Sequence, residues 1–158
     1  TSSENVEWVK ELGADTVIDY KKQDYKTIVK DIDMVLDTLG NQYTEDAFTV
    51  IKNGRKVITL VGIVDKETSN RMKLNKIAQL FLAWKRRKIT KQIQLKSAYY
   101  SLLLMRANAK QLNEITKLVE SGKIKTRIDK VFSLNEVLDA LLYLKNGRTK
   151  GKVVIKIK

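Results

Sequence analysis

Short apolar runs and amphipathic stretches alternate along this chain, and the alternation predicts its elements. Val6, Val9 and Leu12 recur at helical spacing behind Ser2 and Ser3, with Glu4 and Glu7 where the helix dipole favours acids and Gly13 as the stop. A β-branched strand is expected over 16–19, a short amphipathic helix over 24–30, and a strand over 34–37 closed by Thr38-Leu-Gly-Asn41. A helix follows over 42–51, presenting Tyr43, Ala47, Val50 and Ile51, then an Asn53-Gly54 turn signal. Residues 55–61 form the strongest apolar strand of the first half and end at Gly62. A polar loop is expected over 64–70, then a helix over 72–86 with Leu74, Ile77, Leu80, Phe81 and Trp84 on one side. Residues 89–105 alternate at first, with Ile93 and Leu95 against Gln92, Gln94 and Lys96, and read as an extended strand ending in Leu102-Leu-Leu-Met105. A helix over 110–120 turns Leu112, Ile115, Leu118 and Val119 inward, and a strand covers 128–132. Ser133-Leu-Asn-Glu136 fits a capping box that opens a helix to Leu144, and 152–157 is the last strand.

Strands alternate with helices, and the strands are continuous apolar runs, as in a sheet covered on both faces. The expected class is α/β: an open, mainly parallel, Rossmann-like sheet with helices on both faces. The 158 residues are enough for one domain with a real core, and 43% apolar against 31% charged residues excludes intrinsic disorder. There is no Cys and no His. That excludes a disulfide framework, a zinc site of the usual ligands and a Ser-His-Asp or Cys-His triad. No apolar run reaches the roughly 18 residues of a membrane span, and the polar N-terminal stretch lacks the apolar core of a signal peptide. A cytoplasmic location with no membrane partner is the expectation.

The net charge of +13 raises a separate question. Lys85, Arg86, Arg87, Lys88, Lys91 and Lys96 cluster ahead of Tyr99 and Tyr100. The tail holds Lys145, Arg148, Lys150, Lys152, Lys156 and Lys158 with no acid among them. Basic patches with aromatics suit nucleic acid, yet no nucleic-acid-binding motif accompanies them, and a lysine-rich surface on an ordinary enzyme is the commoner cause. Nucleic acid is therefore not the expected partner.

Sheets of this class bind ligands at the carboxyl ends of their strands. Three such ends carry glycine or small polar residues: Thr1-Ser-Ser3, Thr38-Leu-Gly40 and Leu60-Val-Gly62. Glycine there lets a ligand approach the backbone, though it also serves plain turns. The G-x-G-x-x-G phosphate fingerprint is missing, because the seven glycines never fall at that spacing.

Glu7-Trp-Val-Lys-Glu-Leu-Gly-Ala-Asp-Thr-Val-Ile-Asp-Tyr20 resembles the second βα unit of the medium-chain dehydrogenases/reductases, and of their NADP-dependent quinone oxidoreductase branch. The likeness continues through Asp33–Gly40, Asn53–Ile58, Gln111-Leu112, Leu118–Lys125, Ile128–Phe132 and Leu144–Val154, in the family's order. It implies that residues 1–158 are a partial dinucleotide-binding domain with its C-terminal tail, lacking the first βα unit and therefore a central strand. Apolar surface is then expected to be exposed. It also implies an N-terminal GroES-like catalytic barrel, which these residues do not contain.

The implied activity is hydride transfer between NADP(H) and a small-molecule substrate, an activated carbonyl, enone or quinone. The fragment alone is expected to be inactive. No zinc is expected in this segment, and no catalytic acid is assigned. Matched position by position, Thr1, Ser2 and Ser3 meet the adenosine ribose and its 2′-phosphate, with no acidic residue at that strand end to hold a free 2′-hydroxyl, although Glu4 follows directly. Tyr20 approaches the same phosphate or, in a second reading, packs on Leu12. Leu39 and Gly40 meet the cofactor with their backbone. Leu60, Val61 and Gly62 form the wall near the nicotinamide. Leu104 and Met105 complete that pocket, or Leu104 is plain core. Ala107, Ala109 and Thr126 depart from the family's usual proline and glycine. The branch commonly pairs through a strand that here lies between Lys91 and Leu103, so a homodimer is expected. The alternative is a non-enzymatic module that binds or dimerises through its basic surface.

Overall fold

The computed structural model describes residues 1–147 and 149–157. The chain divides into two compact units, Thr1–Arg106 and Ala107–Lys158. In the first, a 3-10 turn at Ser3–Asn5 leads into α1 (Val6–Glu11), which ends before Gly13 at φ +101°. Then come α2 (Tyr25–Ile28), β1 (Ile32–Asp37), α3 (Gln42–Val50), β2 (Ile51–Thr59), α4 (Lys66–Arg71), α5 (Lys76–Lys85), α6 (Arg87–Lys96) and β3 (Tyr99–Leu102). β1, β2 and β3 pair in that order, all parallel, with Val35 opposite Val57 and Val57 opposite Tyr100. The expected parallel α/β class is the class observed.

The core of this unit is Ala47 and Phe48 from α3, Ile51 and Val57 from β2, Ile89 from α6, and Ala98 and Tyr100 around β3. Phe48 and Tyr100 meet with ring centroids 6.3 Å apart. β2 is buried at both ends and exposed through Lys52–Lys56. Its pairing with β1 slips there, Ile32 facing Ile51 and Met34 facing Lys56, around Gly54 at φ +76°. The Asn53-Gly54 turn signal thus becomes an irregularity inside a strand.

The second unit contains α7 (Ala109–Glu120), β4 (Ile128–Ser133), α8 (Val137–Lys145) and β5 (Lys152–Lys156). β4 and β5 pair in parallel, Phe132 opposite Ile155. The Ser133–Glu136 capping box forms: Glu136 Oε2 accepts from the Ser133 amide at 2.8 Å. Arg148 and Lys158 of the basic tail cluster lie outside the described residues.

Four expectations need correction. Residues 16–19 are not a strand. Thr1 flanks this stretch with two hydrogen bonds, to Ile18 and from Tyr20, and one residue offers no ladder. Residues 87–96 are helical, so the extended strand shrinks to Tyr99–Leu102. Ile89 and Ile93 stand one turn apart and both reach the core, while Leu95, which a strand would place on their face, stays exposed. Residues 66–71 are a helix, because the Asp65 carboxylate caps it by accepting the Thr68 amide at 2.8 Å. Finally, the face of α7 expected to point inward is exposed, as is the apolar side of α5, and neither helix buries a residue.

Candidate functional site

At the carboxyl end of β1, Asp37 is buried and gathers the loop that follows it. Its carboxylate accepts from the amides of Leu39 (2.9 Å) and Gly40 (2.8 Å) and from the hydroxyls of Thr44 (2.5 Å) and Thr59 (3.0 Å). Burial alone would raise this carboxyl, but the four hydrogen bonds outweigh it and hold it below the usual carboxylate range. Asp37 therefore sets the backbone at Leu39 and Gly40. Gly40 sits at φ +75°, and a Cβ on it would lie 3.0 Å from the Val61 side chain, so the loops after β1 and β2 touch.

The end of β2 is tied to both neighbours. The Leu60 amide donates to the Asp37 carbonyl (2.9 Å), and the Leu103 amide to the Thr59 carbonyl (2.9 Å). A Cβ on Gly62 would fall 2.5 Å from the Thr59 methyl and from the Tyr100 hydroxyl. That hydroxyl donates to the Ile63 carbonyl at 2.7 Å, and burial first, then Asp65 and Asp37, push it up to about 12. Asp65 accepts from the amides of Thr68 and, at 2.9 Å, Leu102. Burial opposes its ionisation, and those two amides hold it low nonetheless. Leu104 stands just past this junction, half-exposed. Leu39, Leu60 and Val61 also present exposed apolar surface at this end of the sheet.

Thr1, Ser2 and Ser3 lie beside residues 18–20. The Thr1 nitrogen donates to the Ile18 carbonyl (2.8 Å) and the Tyr20 amide to the Thr1 carbonyl (3.1 Å). The Ser3 hydroxyl donates to Asp19 (2.5 Å), and the Ser2 hydroxyl accepts from Asn5 (3.1 Å). An acid therefore stands beside this loop, in addition to the Glu4 that follows it in sequence. Asp19 arrives from 16 residues along the chain. Asp19 is held low first by the Ser3 hydroxyl, with the Lys21 amide and the Lys22 and Lys21 ammoniums adding to it against burial. Lys22 comes within 3.8 Å of Asp19, and Lys21 within 3.9 Å of Glu4. Lys21 and Lys22 follow Tyr20 directly, and no local motif marks them as site residues.

Thr1, Tyr20 and Leu39 share the rim of a groove of about 770 Å³ along the outer edge of β1, floored by Met34, Leu36 and Val50. The expected exposure of apolar surface is found here: Met34 and Leu36 are each more than half exposed. The structure brings Thr1, Tyr20 and Leu39 to one groove, sets Gly40 against Val61 and ties Leu60 to Asp37, while Gly62 packs against Thr59 and Tyr100 and Leu104 follows β3. Ser2 and Ser3 adjoin Thr1 but turn their hydroxyls to Asn5 and Asp19.

The family described as zinc-binding dehydrogenase matches residues 12–155. The chain belongs to this family. Its zinc-binding name is not matched by donors here: the sequence has no His or Cys, and among the described residues no group of three acidic side chains converges. A 2-methylene-furan-3-one reductase of Solanum lycopersicum is 30% identical over 157 residues, covering 98% of this chain and 32% of that protein. The chloroplastic NADPH-dependent alkenal/one oxidoreductase of Arabidopsis thaliana is 28% identical over 156 residues, with 98% and 32% covered. The quinone oxidoreductase of Coxiella burnetii superposes with a TM-score of 0.73 at 23% identity, over 100% of this chain and 44% of that one. The dehydrogenase-family chain thus spans about a third of the length of these curated relatives.

Proposed function

We propose that this chain is the cofactor-binding part of a larger NADP(H)-dependent oxidoreductase that passes hydride to an activated carbonyl, enone or quinone. The observation that carries the reading is a glycine-bearing carboxyl-end surface in a chain that matches the dehydrogenase family over residues 12–155. The names of the tomato and Arabidopsis relatives support the substrate class, and the latter's supports NADPH. When bound, NADP(H) supplies the hydride.

The chain's own residues bind and orient. Thr1 and Tyr20, with the Lys21 and Lys22 ammoniums, take the 2′-phosphate end, while Ser2 and Ser3 shape that loop through Asn5 and Asp19. Leu39 and Gly40 guide the cofactor across the end of β1, held by Asp37. Leu60, Val61, Gly62 and Leu104 wall the nicotinamide side and exclude water. The open apolar groove against β1, with Met34 and Leu36 exposed, supports a further parallel strand lying there in the complete domain. The enzyme pairs through the outer edge of β3, the part of the Lys91–Leu103 segment that is extended.

The test is NADPH and NADH titration of the full-length enzyme. Replacing Lys21 and Lys22 by Glu is expected to weaken NADPH about tenfold, roughly 1.4 kcal/mol, and to leave NADH unchanged. Equal losses for both cofactors, or none, would remove the phosphate assignment.

A further inference from the structure

We propose that α5 is a docking site for anionic lipid surfaces, a function separate from the cofactor site. Ile77, Leu80, Phe81 and Trp84 fall at i, i+3, i+4 and i+7 and so share one face of the helix. That face points to solvent, with Ile77 82% and Leu80 74% exposed. The helix is nonetheless well built. Asn75 caps it by accepting the Ala78 amide at 2.8 Å, and Arg86 ties its far end to the Val64 carbonyl at 2.5 Å.

Cations rim the apolar crest. Lys85 sits 4.9 Å from the Phe81 ring centroid and Arg87 4.8 Å from that of Trp84, while Phe81 and Trp84 stack at 6.2 Å. Lys73 and Lys76 stand at the other end. None of these four cations is in an ion pair among the described residues. No Asp or Glu occurs between Glu67 and Glu114, a stretch that holds nine Lys or Arg from Arg71 to Lys96 alone.

Charge complementarity selects the occupant. An apolar ridge bearing Trp, Phe and Leu between basic ends matches an amphipathic helix lying in the headgroup layer. The hydrocarbon takes the crest, and acidic headgroups take the cations. Nucleic acid offers the phosphates but no apolar depth for Ile77 and Leu80. A second copy would bring the same cations face to face, on chains that each carry +13. No helix among the described residues is long and apolar enough to cross a membrane, so the site rests on a surface and does not span it.

The test is co-sedimentation of the full-length protein with phosphatidylcholine vesicles, with and without about 30 mol% phosphatidylglycerol, together with the part of its Trp emission that Trp84→Phe removes. Binding to the anionic vesicles is expected to be at least about tenfold tighter than to the neutral ones, with a blue shift of Trp84. Leu80→Ser with Trp84→Ser, and separately Lys85→Glu with Arg87→Glu, should each weaken binding about tenfold. All four positions are exposed, and unchanged circular dichroism checks the fold. The proposal is overturned if the anionic vesicles do not bind, or if the apolar pair leaves binding intact. It is also overturned if random oligonucleotides bind instead, with sensitivity to the charge pair alone, or if sedimentation shows a dimer that Leu80→Ser dissociates.

Discussion

Asp37 holds three pieces of chain with one carboxylate: its own following loop, Thr44 on α3 and Thr59 at the end of β2. Asp37→Ala would strand those donors and is expected to cost about 3 kcal/mol in urea unfolding. A cost under about 1 kcal/mol would show that the loop holds itself. Both Asp37 and Asp65 are depressed in the folded chain, so folding favours their ionised form. Their contribution is present above the unfolded value of about 3.9 and is lost as pH falls through the lower folded value. Urea midpoints should therefore fall on acidification below about pH 4, and less steeply in Asp37→Asn. Tyr100 behaves in the opposite direction. Raised to about 12, it adds stability below the unfolded value of about 10 and loses it between the two. Tyr25, with burial first and Asp46 next, is also raised to about 12, and Tyr143 is raised first by its hydrogen bond to Asp129, so absorbance titration should show three phenols ionising late. Gly62→Ala places a methyl against Thr59 and Tyr100, and a loss of about 2 kcal/mol is expected. As a residue, Asp37 was visible in the sequence only as a strand-end acid, because its hydroxyl partners lie 7 and 22 positions away.

At the scale of elements, the deciding case is α6. Its Gln-Ile-Gln-Leu pattern satisfies a strand period as well as a helical one. Contact with α3 and the core selects the helix, burying Ile89 to 4% exposure and leaving Leu95 at 66%. Ile89→Ala should then cost about 3 kcal/mol, while Leu95→Ala stays within about 0.5 kcal/mol. Similar losses from both would favour an extended segment. The Ser133–Glu136 box, by contrast, was legible residue by residue, since a cap needs partners only three positions apart. Ser133→Ala should lower stability of the second unit by about 1 kcal/mol, read as a shift in its unfolding midpoint. The Asp65 cap carried a comparable local signal, Asp-Lys-Glu-Thr68, and was hidden by the polar composition around it.

For the whole molecule, the two units differ in how much core each owns. The first has a contiguous cluster around Phe48, Val57 and Tyr100. In the second, Phe132 and Ala140 are the buried apolar residues among those described. Amide exchange should be slowest in β2 and several fold faster throughout β4 and β5. Trypsin should cut early at Arg106, which is exposed between Leu102 and Ala109 in a stretch without helix or strand. Uniform protection across both units would contradict this division. The native protein in its source cells is expected at roughly two to three times the mass of this chain, in line with the third of its curated relatives' length that the chain spans. A band at the mass of this chain would remove the two-domain enzyme.

Linear pattern was enough for the parallel α/β class, most helices, the Ser133–Glu136 capping box, and the glycine-bearing strand ends at Gly40 and Gly62. Each of these depends on apolar periodicity or on a partner a few residues away. Only the tertiary structure decided that 87–96 is helical, that Asp19 stands beside Ser3, that Asp37 is a fastening, and that the crest of α5 faces solvent. Those outcomes depend on which distant groups exclude water from a given side chain. An amphipathic pattern states that a face is apolar, not whether a neighbour covers it.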